Sequence, residues 1–153
     1  MQYEDKVREL GLSIPDAAKP VAVYVPAVRS GDYVYTSGQI PLVKGEVKYV
    51  GKLGRELNVE DGYEAAKICA LNCLAAVRSV AGSLDNIERI IKVVGFVNSS
   101  ETFTEQPKVV NGASELIGAI FGKAGEHARS AVGVGQLPLG VAVEVELIGK
   151  LNK

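Results

Sequence analysis

The stretch Val59–Ala81 constrains the fold most, because it is the longest run in the sequence with a clear helical pattern. Its apolar residues recur at helical spacing: Ala65, Ile68, Cys69, Leu71, Cys73, Leu74, Ala76 and Val77. Asn58 before the run is a good N-cap, and Gly82 after it is typical of a helix end. A long helix with an apolar stripe must bury that stripe, so the rest of the chain has to supply a surface for it.

Strand patterns on both sides of this helix predict such a surface. Before the helix, residues 21–28 and 33–37 predict two strands joined in hairpin style around Ser30-Gly31-Asp32, and residues 46–50 a brief third strand. After it, "IERIIKVVGFVN" is a β-branched run typical of a buried strand. Pro107 then opens a second helix to about residue 121. The last strands are predicted at 129–134 and 141–151, with "GQLPLG" as the turn between them.

The order of these elements predicts the fold class. "YEDKVRELGL" indicates a short amphipathic helix closed by Gly11, and β-β-β-α-β-α-β-β follows. This order predicts a mixed α+β sheet with two helices packed on one face. In "VAVEVELIGK" the apolar residues alternate with a partly polar set that includes Glu144 and Glu146. The second face of the sheet is therefore expected to be solvated or to lie against another subunit.

Length and charge restrict the classes of function. The 153 residues suit a single domain, 1–153, in which we assign residues 1–17 to an N-terminal extension. A net charge of -1 and the lack of a basic run make nucleic acid an unexpected partner. No apolar run has the length of a membrane helix, and the chain is predicted to be cytoplasmic with no membrane partner.

Cysteine and histidine usage argues against a metal site. Cys69 and Cys73 lie on one face of the predicted helix, and we interpret them as core residues. The sequence has one histidine, His127, and no Cys/His cluster, so no transition-metal site is expected.

Four residues are candidates for ligand binding or catalysis. Arg129, in "EHARSAVGVGQLP", has two interpretations. It is either a solvated residue at the start of a strand, or its guanidinium binds the carboxylate of an organic acid with two hydrogen bonds. Glu144 is a surface charge or, if sheltered, a group that positions or activates water. Ser37, in "TSGQIP", offers a hydroxyl at a strand end that is otherwise a simple terminator. Tyr24 is either a core residue or a site residue.

Four motifs occur in order over about residues 18–150: "YTSGQIP", "FVN", "ARSAVGVGQLPLG" and "VEVE". In combination they resemble the RidA/YjgF family of reactive-intermediate deaminases, also called the L-PSP endoribonuclease-like family. The resemblance implies a chorismate-mutase-like α+β fold and a homotrimer whose sheets form a central barrel with three clefts between subunits. It also implies hydrolysis of enamine and imine intermediates of amino acids to 2-keto acids and ammonia, without metal or cofactor.

The resemblance also assigns the site. It implies that Arg129 binds the substrate carboxylate and that Glu144 orients or activates the attacking water. The substrate-binding residues it implies are Tyr24, Ser37, Asn111 and the backbone of Ala131, which would bond the imine nitrogen.

The sequence departs from the family pattern along the arginine strand. Ala131 stands where characterised members commonly have a cysteine, and Gly133 and Gln136 replace a carboxylate and a guanidinium, which predicts a roomier and less charged cleft. Two other functions stay open at this point. One is a non-catalytic or chaperone-like regulatory trimer that binds small carboxylates, and the other is RNA cleavage, which the charge supports poorly.

Overall fold

A computed structural model describes residues 2–17, 19 and 23–153 of the chain. The helices are α1 Gln2–Glu9, α2 Val59–Ala81 and α3 Gln106–Phe121. The strands are β1 Ala27–Ser30, β2 Tyr33–Thr36, β3 Leu42–Val43, β4 Glu46–Val47, β5 Ile87–Asn98, β6 Ala128–Val134 and β7 Val143–Leu151. Among the described residues, no helix is both long enough and apolar enough to cross a bilayer.

Helix α2 has the predicted ends. The Asn58 side chain accepts from Asp61 N at 2.9 Å, and the Asp61 carboxylate accepts from Asn58 N at 3.0 Å. This reciprocal capping box satisfies two backbone donors that the first turn leaves free. At the other end Gly82 has a positive φ of 86° and donates to Arg78 O, which stops the helix.

Five strands form one mixed sheet in the order β1-β2-β7-β5-β6, in which only β5 and β6 are parallel. Helices α2 and α3 pack on one face of this sheet. Along β7, Val143, Val145 and Leu147 are buried under them, while Glu144 and Glu146 are half-buried on the other face. The predicted α+β class and the predicted alternation are therefore confirmed.

Strand β1 is shorter than predicted. It begins at Ala27, and residues 23–26 are not in a strand, while residues 21–22 of the predicted stretch lie outside the described residues. Pro26 has no N–H to donate to a strand ladder. Its carbonyl instead accepts a hydrogen bond from Ser37 N at 2.7 Å. This backbone bond joins the residue before β1 to the residue after β2.

The brief third strand belongs to a hairpin of its own. Strands β3 and β4 pair with each other outside the main sheet, and β3 was not predicted. Lys44 and Gly45, between them, have φ of 51° and 79°. Positive φ at both central residues is the geometry of a type I′ turn, which a lysine at the first position does not signal in a sequence.

The N-terminal segment is part of the packed structure. The backbone N–H groups of Tyr3 and Glu4 donate to Asp85 Oδ1 at 2.9 and 3.0 Å, and the Glu4 carboxylate pairs with Arg78 at 3.2 Å. Val7 is buried in the core. Helix α1 is thus anchored to the end of α2 and the turn that follows it.

Two glycines bring α3 close to its neighbours. A side chain at Gly112 would collide with the Tyr63 carbonyl of α2, and one at Gly95 would collide with Val110. Close approach of this kind needs a residue without a Cβ. Helix α3 consequently lies near enough to the sheet for its polar side chains to reach β6.

Cys69 and Cys73 are free thiols in the core, as predicted. Their Sγ atoms donate to Val143 O at 3.5 Å and to Val145 O at 3.2 Å. Burial raises the pKa of Cys73 to about 12 and that of Cys69 well above its ordinary range.

We expect both thiols to be inert in the folded protein, because the thiolate is the reactive form. Titration with an aromatic disulfide reagent should detect no free thiol under native conditions at pH 8 and two thiols in denaturant. Rapid native labelling would show that the core opens readily.

Candidate active site

Arg129 is the second residue of β6 and lies on the helix side of the sheet. Its cross-strand partner is Val93, which in turn pairs with Leu147, and both of these are buried. Side chains in one cross-strand row share a face, so Arg129 points toward α3. It is half-buried there rather than solvated at the strand start.

The partners of the Arg129 guanidinium are neutral. Its Nη1 donates to Asn111 Oδ1 at 2.8 Å and to Ser114 Oγ at 3.2 Å. These two residues are three apart on α3 and therefore neighbours on one helix face. No carboxylate among the described residues forms an ion pair with Arg129, and in that part of the chain Nη2 and Nε make no hydrogen bond. The guanidinium thus keeps an uncompensated charge and free donors.

The residues around this guanidinium form what we term the arginine cluster: Arg129, Asn111, Ser114 and His127. His127 joins it through Ser114, whose Oγ lies 2.9 Å from His127 Nε2. Ala131 lies two residues further along β6 on the same face, half-buried opposite Gly95. Sequence reasoning assigned no site role to Ser114 or His127.

Glu144 lies on the opposite face of the sheet. Its cross-strand partner is Phe96, which pairs with Val132 on β6. Partial burial and, to a lesser extent, the nearby Glu146 carboxylate raise the pKa of the Glu144 carboxyl. Its Oε2 sits directly over Gly38, where any side chain would collide with it. Within the described chain this carboxylate has neither an ion pair nor a hydrogen bond.

Ser37 precedes Gly38 in the chain, and Tyr24 precedes Val25 on the segment to which Ser37 is hydrogen-bonded. Ser37 Oγ donates to Val25 O at 2.6 Å, so its hydroxyl holds the chain next to Tyr24. Tyr24 is 54% exposed, which places it at the surface rather than in the core. We term Glu144, Gly38, Ser37 and Tyr24 the glutamate cluster.

The structure therefore divides the six predicted site residues into two groups. Asn111, Arg129 and Ala131 lie on the helix side of the sheet, and Glu144 lies on the other face. A ligand bound by Arg129 therefore does not reach Glu144 of the same chain through the sheet. We term the arginine cluster with Ala131, and the glutamate cluster, the two half-sites.

A third polar cluster connects the end of β5 to the loop that follows β6. Asn98, buried at the end of β5, accepts from Lys52 Nζ at 2.8 Å and donates to Gln136 Oε1 at 2.8 Å and Val141 O at 3.1 Å. Lys52 also donates to Gly135 O. The ammonium of Lys52 thus lies on the "VGQLP" loop. The sequence analysis singled out "FVN" and Gln136 separately and did not predict that Asn98 and Gln136 are bonded.

The space beside Gly133 is not open. A Cβ there would lie 2.7 Å from Gln106 Nε2 and 3.2 Å from Ser99 Oγ. Gln106 is held by bonds to Ser99 Oγ and Phe103 O at 3.2 and 2.8 Å. A glutamine from the start of α3 therefore occupies the space that Gly133 leaves within this chain, and the roomier, less charged cleft stays a prediction.

Metal ligands do not converge in the structure. Among the described residues, no group of three or more His, Cys, Asp or Glu side chains is placed to hold a metal ion. The polar side chains of the two half-sites are a guanidinium, one amide, one imidazole, three hydroxyls and a single carboxylate, a set suited to an organic anion.

Residues 4–151 match the family described as "YjgF/chorismate mutase-like, putative endoribonuclease". The chain belongs to this family. The resemblance seen in the four sequence motifs is thereby confirmed, together with the YjgF type of α+β fold.

Similar proteins extend over nearly the whole chain. "Protein TCP17" of Trypanosoma cruzi is 46% identical over 95% of this chain and 92% of its own length. The crystal structure of protein Atu1372 from Agrobacterium tumefaciens, a protein of unknown function, superposes with a TM-score of 0.91 at 42% identity, covering 98% of this chain and 92% of that one. A relative from Dermatophagoides farinae, 29% identical over 90% of this chain and 92% of its own, is named 2-iminobutanoate/2-iminopropanoate deaminase.

Proposed function

We propose that this protein is a hydrolytic deaminase of reactive enamine and imine intermediates of amino acids, releasing 2-keto acids and ammonia. The observation that carries the proposal is the half-buried Arg129, whose partners are neutral and whose Nη2 and Nε donors are unused in the described chain. A planar guanidinium with two free donors matches the geometry of a carboxylate. The family relative named as an iminobutanoate/iminopropanoate deaminase acts on substrates that carry such a group.

Glu144 supplies the base that hydrolysis requires. A carboxyl whose pKa is raised by burial accepts a proton more readily near neutral pH than an exposed one. In the proposed reaction the oxygen of water bonds to the imine carbon as the C=N π bond opens, and Glu144 takes one proton of the water and passes it to the nitrogen, which gives a carbinolamine. Glu144 then takes the proton of the carbinolamine hydroxyl and passes it to the same nitrogen, so that the C–N bond breaks, the carbonyl forms and ammonia leaves.

The half-sites lead us to propose that the working cleft forms between subunits of a homotrimer. Strand β6 is an edge strand, so one side of its backbone is unpaired in the protomer. The outer sheet face that carries Glu144 also carries exposed apolar side chains, including Val28, Tyr35 and Val132 at 52%, 46% and 43% exposure. A second copy that covers this face would bring its arginine cluster to the glutamate cluster of the first.

We expect light scattering to give a mass three times that of the 16.2 kDa chain at micromolar concentration. The thermal midpoint should rise with protein concentration, because association stabilises the folded state by mass action. A monomer of unchanged midpoint across a hundredfold range of concentration would contradict the shared cleft.

A direct assay tests the activity. An amino-acid oxidase generates imines in situ from several amino acids, and keto-acid release is followed with and without the purified protein. Faster release that depends on protein concentration is expected. If 2-keto acids bind by calorimetry but no imine is hydrolysed, the protein is a carboxylate-binding module. Cleavage of RNA in place of both would overturn the proposal.

Gly38→Ala should lower turnover by displacing Glu144 without removing it. A methyl group at this position collides with Glu144 Oε2, and the backbone there has no positive φ that would itself disfavour alanine. Misplacing a catalytic group by about 1 Å costs on the order of 100-fold in rate.

The matched control is Gly118→Ala on the exposed face of α3, where a new methyl group meets no atom within 4 Å. This variant should keep full kcat. Equal kcat for the wild type and Gly38→Ala would mean that the Glu144 position over Gly38 is not the catalytic one.

A further inference from the structure

Arg129 is connected through Ser114 to the single histidine of the sequence, and the reaction proposed above makes no use of this connection. Ser114 Oγ lies 3.2 Å from Arg129 Nη1 and 2.9 Å from His127 Nε2. At the far end of the chain of hydrogen bonds, His127 Nδ1 lies 2.6 Å from Gly125 O. Three elements therefore meet here: α3, the short turn Gly122–Gly125 after it, and the start of β6.

The direction of each hydrogen bond follows from the groups that make it. The Gly125 carbonyl can only accept, so His127 Nδ1 carries the proton of the neutral ring, and Nε2 is an acceptor. The Ser114 hydroxyl donates to Nε2, which leaves the lone pairs of its oxygen for the guanidinium. His127 thus fixes Ser114 as an acceptor toward Arg129.

These bonds decide which edge of the guanidinium stays free. Nη1 has two hydrogens, and Asn111 Oδ1 and Ser114 Oγ accept one each. The remaining donors are those of Nη2 and Nε, and these two nitrogens each direct one N–H bond outward from the same edge of the guanidinium, parallel to each other and in its plane. Such a pair binds the two oxygens of one carboxylate.

We propose that Ser114 and His127 are positioning residues that hold the Nη1 edge of Arg129 and so present its Nη2/Nε edge to the carboxylate of the ligand. The identity of that ligand rests on the proposed function, whereas the hydrogen-bonded chain is a property of the protein alone. A held guanidinium has already lost the rotamer freedom that carboxylate binding would otherwise remove, so the chain raises ligand affinity by preorganisation.

Four single variants test the proposal in pairs. Ser114→Ala and His127→Phe break the chain, whereas Ser114→Thr keeps the hydroxyl and His127→Gln keeps an acceptor near the position of Nε2. Ser114→Ala should raise the pyruvate Kd and the imine KM about fivefold, the worth of one hydrogen bond, with kcat within about twofold. His127→Phe should act in the same direction and less strongly. The two conservative variants should lie close to the wild type.

The double variant separates positioning from general destabilisation. If His127 acts only through Ser114, then adding His127→Phe to Ser114→Ala raises the pyruvate Kd no further. The proposal would be overturned if His127→Phe raised the pyruvate Kd by the same factor in the wild type and in the Ser114→Ala protein. It would also be overturned if the Ser114→Ala protein bound pyruvate as tightly as the wild type.

Side-chain NMR of the ligand-free protein distinguishes failure of this inference from failure of the proposed function. The Arg129 Nη signals, assigned by their loss in Arg129→Lys, should show hindered rotation in the wild type and averaged signals in Ser114→Ala. A held guanidinium in a protein that binds no pyruvate would refute the carboxylate function and leave the positioning intact. Free rotation in the wild type would refute the positioning itself.

Discussion

Arg129→Lys is expected to lose most imine hydrolysis while the fold survives. Lysine keeps the positive charge, and its ammonium can still donate to Asn111 and Ser114. It lacks the planar fork that leaves two parallel donors free for a carboxylate. Losing such a charge-assisted pair in a sheltered site costs about 2–5 kcal/mol of ligand binding, or roughly 30-fold or more in affinity.

The measurement is the pyruvate Kd and kcat/KM of wild type and variant, with thermal unfolding as the check on folding. Arg55→Lys serves as the control, because Arg55 is exposed and its guanidinium makes no hydrogen bond in the described chain. The control should match the wild type. An Arg129→Lys protein with full activity would exclude recognition by two parallel hydrogen bonds.

Local patterns in the sequence predicted the elements well because their physical causes are local. The ends of α2 depend on Asn58 and Gly82, which act within one turn of the helix. The alternation along β7 follows from the strand geometry itself, and the burial of Val143 and half-burial of Glu144 agree with it. Strand β3 and its pairing with β4 were not predicted, because the positive φ of Lys44 has no signal in its residue type, whereas β4 lies within the strand predicted at 46–50.

The candidate site was only partly predictable, because its contacts join distant parts of the chain. Arg129 stood out from its apolar neighbours, but its bond to Ser114 depends on how close α3 packs to β6. The Ser37 hydroxyl, predicted to bind substrate, is engaged with Val25 O in this structure. The separation of Arg129 and Glu144 by the sheet depends on strand register across β6, β5 and β7, which no single segment encodes.

The polar groups of both half-sites make fewer hydrogen bonds and ion pairs than they would in a protein optimised for stability alone. With respect to residues 2–17, 19 and 23–153, Arg129 has unused donors, and the Glu144 carboxylate is partly buried near another carboxylate and has no cation as a partner. Functional sites often retain such costs because the unmet interaction is reserved for the ligand. Removing the charge at Glu144 should therefore separate catalysis from stability.

Glu144→Gln is expected to lower kcat by roughly 100-fold or more, because glutamine keeps the size of the side chain but cannot take a proton from water. The pyruvate Kd should change little, since Arg129 is retained on the other face of the sheet. Hydrolysis rate and calorimetric affinity are measured together on both proteins. An unchanged rate would assign the activation of water to another group, and a joint loss of rate and affinity would make Glu144 structural.

The same substitution should stabilise the protein at neutral pH, and the pH dependence gives an independent check on the environment of Glu144. Its carboxyl pKa is raised above the ordinary 4.5 in the folded state, so the folded protein binds this proton more tightly than the unfolded chain does. The wild type consequently loses stability as pH rises from below 4.5 through the raised pKa, while the glutamine variant has no such loss. Denaturant unfolding should give the variant a larger free energy of unfolding than the wild type at pH 7. At pH 4 the two proteins should unfold with similar free energies. If Glu144→Gln instead destabilises the protein at pH 7, the ionised carboxylate has a favourable partner in the assembled protein, most simply a cation from the neighbouring subunit. The role of Glu144 in the cleft would then be to hold that contact.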